Sequence, residues 1–74
     1  MNKTKFTQRD ISLGKRIARM RRQRDLSQEE VAIKSSLSQT TVGLLEVGKR
    51  RISLRSLQRI ASSLGVKVKD LINF

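Results

Sequence analysis

The sequence has no cysteine, no histidine, no proline, no tryptophan and no tyrosine. Without cysteine there is neither a disulfide framework nor a thiolate metal site. Without histidine the usual general base, the usual metal ligand and the usual pH switch are missing. The only aromatics are Phe6 and Phe74. Modules that grip single-stranded nucleic acid stack bases on aromatic platforms, so any nucleic-acid partner of this chain is expected to be a duplex. No apolar run approaches the ~20 residues that span a bilayer. The N-terminal MNKTKFTQRD lacks the apolar stretch of a secretory signal. A soluble, cytoplasmic protein with no membrane partner is expected. Acidic residues are scarce too, at 6 against 17 Lys and Arg, for a net charge of +11. Such an excess repels itself unless the working partner is a polyanion.

With 74 residues the chain is one small domain with little room for a catalytic cleft. It shows no paired carboxylates in a plausible pocket and no phosphate loop. An enzyme is rejected on these grounds, and no metal, cofactor or small-molecule ligand is expected.

What is present is helical periodicity. Leu13, Ile17 and Met20 repeat at i, i+4, i+7 and form one stripe. A first helix is expected from about Ile11 to Arg24, preceded by a basic flexible arm over residues 1–9. Lys3, Lys5 and Arg9 lie in that arm, which could itself reach DNA. Asp10 suits the positive end of this helix, and Asp25 the left-handed residue after it. Ser27-Gln-Glu-Glu30 fits a capping box opening a second helix, which stops near Ser35 and Ser36. Ser38 is a cap for a third helix, which turns Val42 and Leu45 inward and ends at Gly48. Ser53 opens a fourth, with Leu54, Leu57, Ile60, Ala61 and Leu64 as its stripe and Gly65 as its stop. A short fifth helix, about Val68 to Asn73, carries Leu71 and Ile72. The fold class read from this pattern is all-α with five helices, and residues 10–74 form one domain.

Ser-Gln occurs twice, eleven residues apart, each time after a leucine. Two caps at that spacing leave a second helix of about eight residues and a tight turn into the third. Helices so joined cross at roughly 90–120°, the helix-turn-helix geometry. The third helix then enters a major groove N-terminus first, while the second lies across the backbone. The N-termini opened by Ser27 and Ser38 are phosphate-contact candidates, because free N–H groups there favour an anion. Gln28 adds a side-chain donor. Gln39 would reach base edges, where glutamine pairs bidentately with adenine.

Residues 13–72 resemble the Cro/C1-type (XRE-family, lambda-repressor-like) helix-turn-helix domain. The resemblance rests on L-x-x-x-I-x-x-x-R from Leu13 to Arg21, then LSQEEVA, LSQTTVGLLEVGKRR and ISLRSLQRIASSLGV in order. It implies that Gln28 clamps a backbone phosphate and that Gln39, Thr40 and Gly43 fall in the base-reading stretch, with Thr41 beside them. It implies a partly buried Arg21–Glu46 salt bridge, and Lys49, Arg50 and Arg51 along phosphates. Three positions depart from the family. Ser36 stands where glycine is frequent, so that it takes a less comfortable conformation or the turn shifts; Ile52 stands where proline is, and Leu44 where a polar base-contacting residue is, so that Leu44 touches a thymine methyl instead or makes no contact. Mid-helix Gly43 implies close approach to DNA or to a neighbouring helix. The arginines of helix 1 cannot all face DNA, since helical spacing spreads them around the cylinder.

The segment 66–74 is rich in apolar residues, and exposed apolar patches mark interfaces. Stand-alone members of the family pair through this last helix. Val66, Val68, Leu71, Ile72 and Phe74 are therefore expected to form the interface of a homodimer. Its two reading helices would stand one DNA turn apart, roughly 34 Å, over a near-palindromic site.

The function implied is a sequence-specific double-stranded DNA-binding transcriptional regulator, a repressor or autoregulator, controlled by its own concentration. Two alternatives belong to other classes. An antitoxin-type protein-interaction module needs a toxin-binding segment, and only residues 1–9 and 66–74 are spare. A non-specific architectural or RNA-binding protein would suit the charge but not the placed reading helix.

Overall fold

The computed structural model describes residues 6–72. It contains α1 (Gln8–Gln23), α2 (Gln28–Ser35), α3 (Gln39–Glu46), α4 (Leu54–Leu64) and α5 (Val68–Ile72). There is no strand among the described residues. None of these helices is long and apolar enough to cross a membrane.

Hydroxyl side chains open the first four helices. Thr7, Ser27, Ser38 and Ser53 each accept from the backbone N–H three residues on. The first of these caps corrects the expected arm. Thr7 and Asp10 form a reciprocal capping box, with Thr7 N donating to Asp10 Oδ2 at 2.7 Å. Asp10 is thus the third residue of α1 rather than its entrance, and Gln8 and Arg9 are helical. Lys3 and Lys5 lie outside the described residues.

The same four helices end alike. After α1, Asp25 N donates to Arg22 O and Leu26 N to Arg21 O, and equivalent pairs close α2, α3 and α4. This pair of hydrogen bonds caps orphan carbonyls and needs a left-handed residue. Glycine supplies it at Gly48 and Gly65; Asp25 (φ 55°) and Ser36 (φ 58°) supply it elsewhere. Leu26, Leu37 and Val66, which follow three of these residues, pack against the core.

The core gathers Ile17, Val31, Ala32, Val42, Leu45, Leu57, Ile60, Ala61, Leu64 and Leu71. α1 packs on α3 and α5, α2 on α3 and α4, and α4 on α5. Gly14 allows the α1–α3 crossing, since a Cβ there would overlap the backbone carbonyl oxygens of Leu45 and Glu46.

Two expectations about apolar residues are corrected. Leu54, read as part of the α4 stripe, is 65% exposed. It occupies the first position of its helix, one turn before Leu57, the first buried residue. Leu71, read as interface, is wholly buried, because α5 folds back onto α1 and α4 and uses it to close the core. Val66 and Val68 are half-buried on the same core. Of the four interface candidates among the described residues, Ile72 alone is exposed. Phe74 lies outside the described residues.

Candidate nucleic-acid interface

The segment from Ser27 to Arg51 presents two helix N-termini and one basic loop. Ser27 Oγ accepts from Glu30 N at 3.0 Å while Glu30 Oε1 accepts from Ser27 N at 2.7 Å. The backbone N–H of Ser27, and after it the Ser27 hydroxyl, hold the Glu30 carboxyl below its ordinary value. Ser38 Oγ accepts from Thr41 N at 3.0 Å and donates to Thr41 Oγ1 at 2.9 Å. Both capping serines are exposed, and their helices start as the spacing of the two Ser-Gln pairs predicts. The turn between α2 and α3 is held by Ser36 in the left-handed region and by Leu37 N donating to Ala32 O at 2.9 Å. Ser36, where glycine is frequent in the family, therefore adopts the glycine-like conformation instead of shifting the turn.

Gln39 and Thr40 are exposed on the first turn of α3, and Thr41, Gly43 and Leu44 are partly exposed. Lys49, Arg50 and Arg51 are exposed directly after α3. Gly48 (φ 76°) seats this loop against α1, since a Cβ there would come within 2.8 Å of Ile11 Cα. Arg51 Nε stands 4.0 Å from Asp10 Oδ2. Arg50, Arg51 and Ile52 also line a shallow hollow of about 320 Å³ with Leu37, Thr41, Ser53 and Ser56. Ser56 was not singled out from the sequence. Its only signal was its place three residues after the Ser53 cap, whose hydroxyl it shares at 3.2 Å.

Behind this surface lies a three-helix polar network. Arg21 on α1 grips Glu46 on α3 bidentately, Nε to Oε2 at 2.6 Å and Nη2 to Oε1 at 2.9 Å. Arg21 Nη1 donates to Leu26 O at 2.9 Å. Gln28 on α2 donates from Nε2 to Glu46 Oε1 at 2.9 Å. Burial pushes the Glu46 carboxyl up. Hydrogen bonds from Arg21 and Gln28, with the charges of Arg21 and Arg22, outweigh it and leave the pKa below the ordinary value. The hydrogen bond to Glu46 is also the main reason that Arg21 is raised. A buried carboxylate needs such partners, because an unpaired buried charge is strongly destabilising.

The arrangement is built of exposed polar and basic side chains. Among the described residues there is no cluster of His, Cys, Asp or Glu that could hold a metal ion. It offers instead amide, hydroxyl and cationic donors on one surface. The acids are largely committed elsewhere. Asp10, Glu30 and Asp70 accept from backbone N–H groups at helix starts, and Glu46 is occupied by Arg21 and Gln28.

Residues 17–71 match the family model described as helix-turn-helix, HTH_3. The chain belongs to the helix-turn-helix family. It is similar to the control protein C.MunI of a Mycoplasma species, 34% identical over 64 residues, covering 85% of this chain and 86% of that protein. The control protein C.BamHI of Bacillus amyloliquefaciens is 34% identical over 65 residues, covering 86% and 80%. Among solved structures, the restriction–modification controller protein C.AhdI from Aeromonas hydrophila superimposes with a TM-score of 0.82 at 32% identity. The match covers 84% of this chain and 94% of that one. As a helix-turn-helix protein of the Cro/C1 type the chain is a DNA-binding transcription regulator, and its family is regulatory rather than enzymatic. α2 and α3 stand where the two helices of the motif are expected, with α3 in the expected place of the recognition helix.

Proposed function

We propose that this regulator reads a near-palindromic operator as a homodimer and acts as a repressor or autoregulator. It acts through binding, with no catalysis. The observation that carries the reading is the pair of capped N-termini, Ser27–Gln28 and Ser38–Gln39, beside an exposed Lys49-Arg50-Arg51 loop. The N-terminus of α2 and the loop would meet phosphates. Gln39 and Thr40 would meet base edges, with Thr41 and Leu44 at the margin of the contact.

The pairing surface we assign keeps only Ile72 of segment 66–74 and takes its other residues from elsewhere in the chain. Ile72 shares a groove of about 590 Å³ with Leu13, Ile52, Leu57, Arg9, Asp10 and Arg51. The exposed Leu54 begins the helix that carries Leu57. A second copy laid along this face would cover Ile52, Leu54 and Ile72 together, and two recognition helices would follow the dyad of the site.

The test is selection of bound duplexes from a random pool at near-physiological salt, with wild type and a Gln39→Ala, Thr40→Ala double variant side by side. A near-palindromic wild-type consensus that the variant relaxes is expected. Binding without a consensus, fading steeply with salt as pure phosphate contact does, would replace this reading with charge-driven packaging of nucleic acid.

A further inference from the structure

The amide of Gln28 starts on α2 and is held from α3. Its Nε2 donates to Glu46 Oε1 at 2.9 Å, and a Cβ built on Gly43 would stand 3.5 Å from its Oε1. Gly43 and Glu46 are three residues apart and so share one face of α3. We propose that Gly43 and Glu46 form a seat on the recognition helix that aims the Gln28 amide at DNA, so that Gly43 is a positioning residue and not a base reader.

The proposal rests on the reading that Gln28 meets a phosphate. A primary amide has two N–H donors. Glu46 takes one and fixes the plane of the amide, which leaves the second donor in a set direction. An acceptor on one N–H also polarises the amide and strengthens the other bond. A carboxylate so close to a phosphate would ordinarily repel it. Here Arg21 neutralises Glu46 with two hydrogen bonds, so the amide bridges a compensated acid and an anion. The seat also calls for a small residue in mid-helix. A methyl group at 3.5 Å is an ordinary contact, so alanine fits. Any side chain longer than that grows into the space of the Gln28 amide.

A double-mutant cycle on the selected operator separates the possibilities, with thermal melts confirming that each variant folds. Gly43→Ala should bind within about twofold of wild type. Gly43→Leu should weaken binding by about tenfold with an unchanged consensus, and by less than about threefold when Gln28→Ala is already present. Gly43→Met replaces it if the leucine variant does not fold. In the free protein the Gln28 side-chain NH₂ resonances should be well separated and slow to exchange, and should lose both properties in Gly43→Leu. An equal loss in both backgrounds, or a shifted consensus, would show that Gly43 itself faces DNA and would overturn the seat. If Gln28→Ala alone binds like wild type, the phosphate contact is wrong and the seat has nothing to aim.

Discussion

Gln28 and Gln39 each follow a capping serine and each take the first position of an eight-residue helix. Gln28 is half-buried and bonded to Glu46, whereas Gln39 is exposed. α2 lies with its first turn against the Arg21–Glu46 pair, so its glutamine meets an acceptor within the protein. The first position of α3 is exposed, so its glutamine meets solvent until a partner arrives. Identical local chemistry therefore serves scaffolding at one helix start and is left available for recognition at the other.

Glu46→Ala should damage the scaffolding side most. It strips Gln28 of its acceptor and leaves Arg21, a guanidinium with only 12% of its side chain exposed, with the Leu26 carbonyl in place of a carboxylate. A loss of about 3 kcal/mol is expected from breaking one member of such a pair, measured by urea denaturation.

Acid should reach the same network more gently. The Glu46 carboxyl lies below its ordinary 4.5 in the folded protein. Its contribution to stability is therefore complete above that value and disappears as pH falls through the lowered one. Melting temperatures of the wild type between pH 7 and pH 3 should drop in that window. Glu46→Gln should give a flatter profile, and the slope it keeps would include the part of Glu30, which is lowered in the same direction.

Alanine at the two glutamines gives the smallest and sharpest contrast. Gln28→Ala should cost about 1.5 kcal/mol, since it removes a hydrogen bond to a charged group. Gln39→Ala should stay within about 0.5 kcal/mol, as surface changes do. In duplex selection the order should reverse in kind. Gln39→Ala should alter the consensus, and Gln28→Ala should weaken all duplexes alike. Equal stability losses for the two would mean that Gln28 is not held as the structure shows.

Much of this was legible before any coordinates. The Ser27–Glu30 box, the Ser38 and Ser53 caps and the Gly65 stop act within four residues, so short stretches of sequence reveal them. The Thr7–Asp10 box is equally local and was missed only because the aspartate was taken as the entrance of the helix. The Arg21–Glu46 pair, 25 residues apart, came through family resemblance and not from spacing. The bond from Gln28 to Glu46 crosses 18 residues and had no signal at all. Leu71 and Ile72 are adjacent and alike in character, so nothing short of the packing of α5 on α1 and α4 could send one inward and the other out. Gly14 read as an ordinary helical residue until α3 was laid across it.

The sequence by itself determined the helices, their caps and stops, the excess of positive charge and the membership of the family. Each of these follows from neighbours within a turn or from sums over the whole chain. The tertiary structure decided which glutamine is held and which is exposed, which apolar residue closes the core and which is left at the surface, and why a glycine stands at a helix crossing. Those choices depend on where separate helices meet, and a meeting of helices is a property of three-dimensional packing that no local pattern encodes.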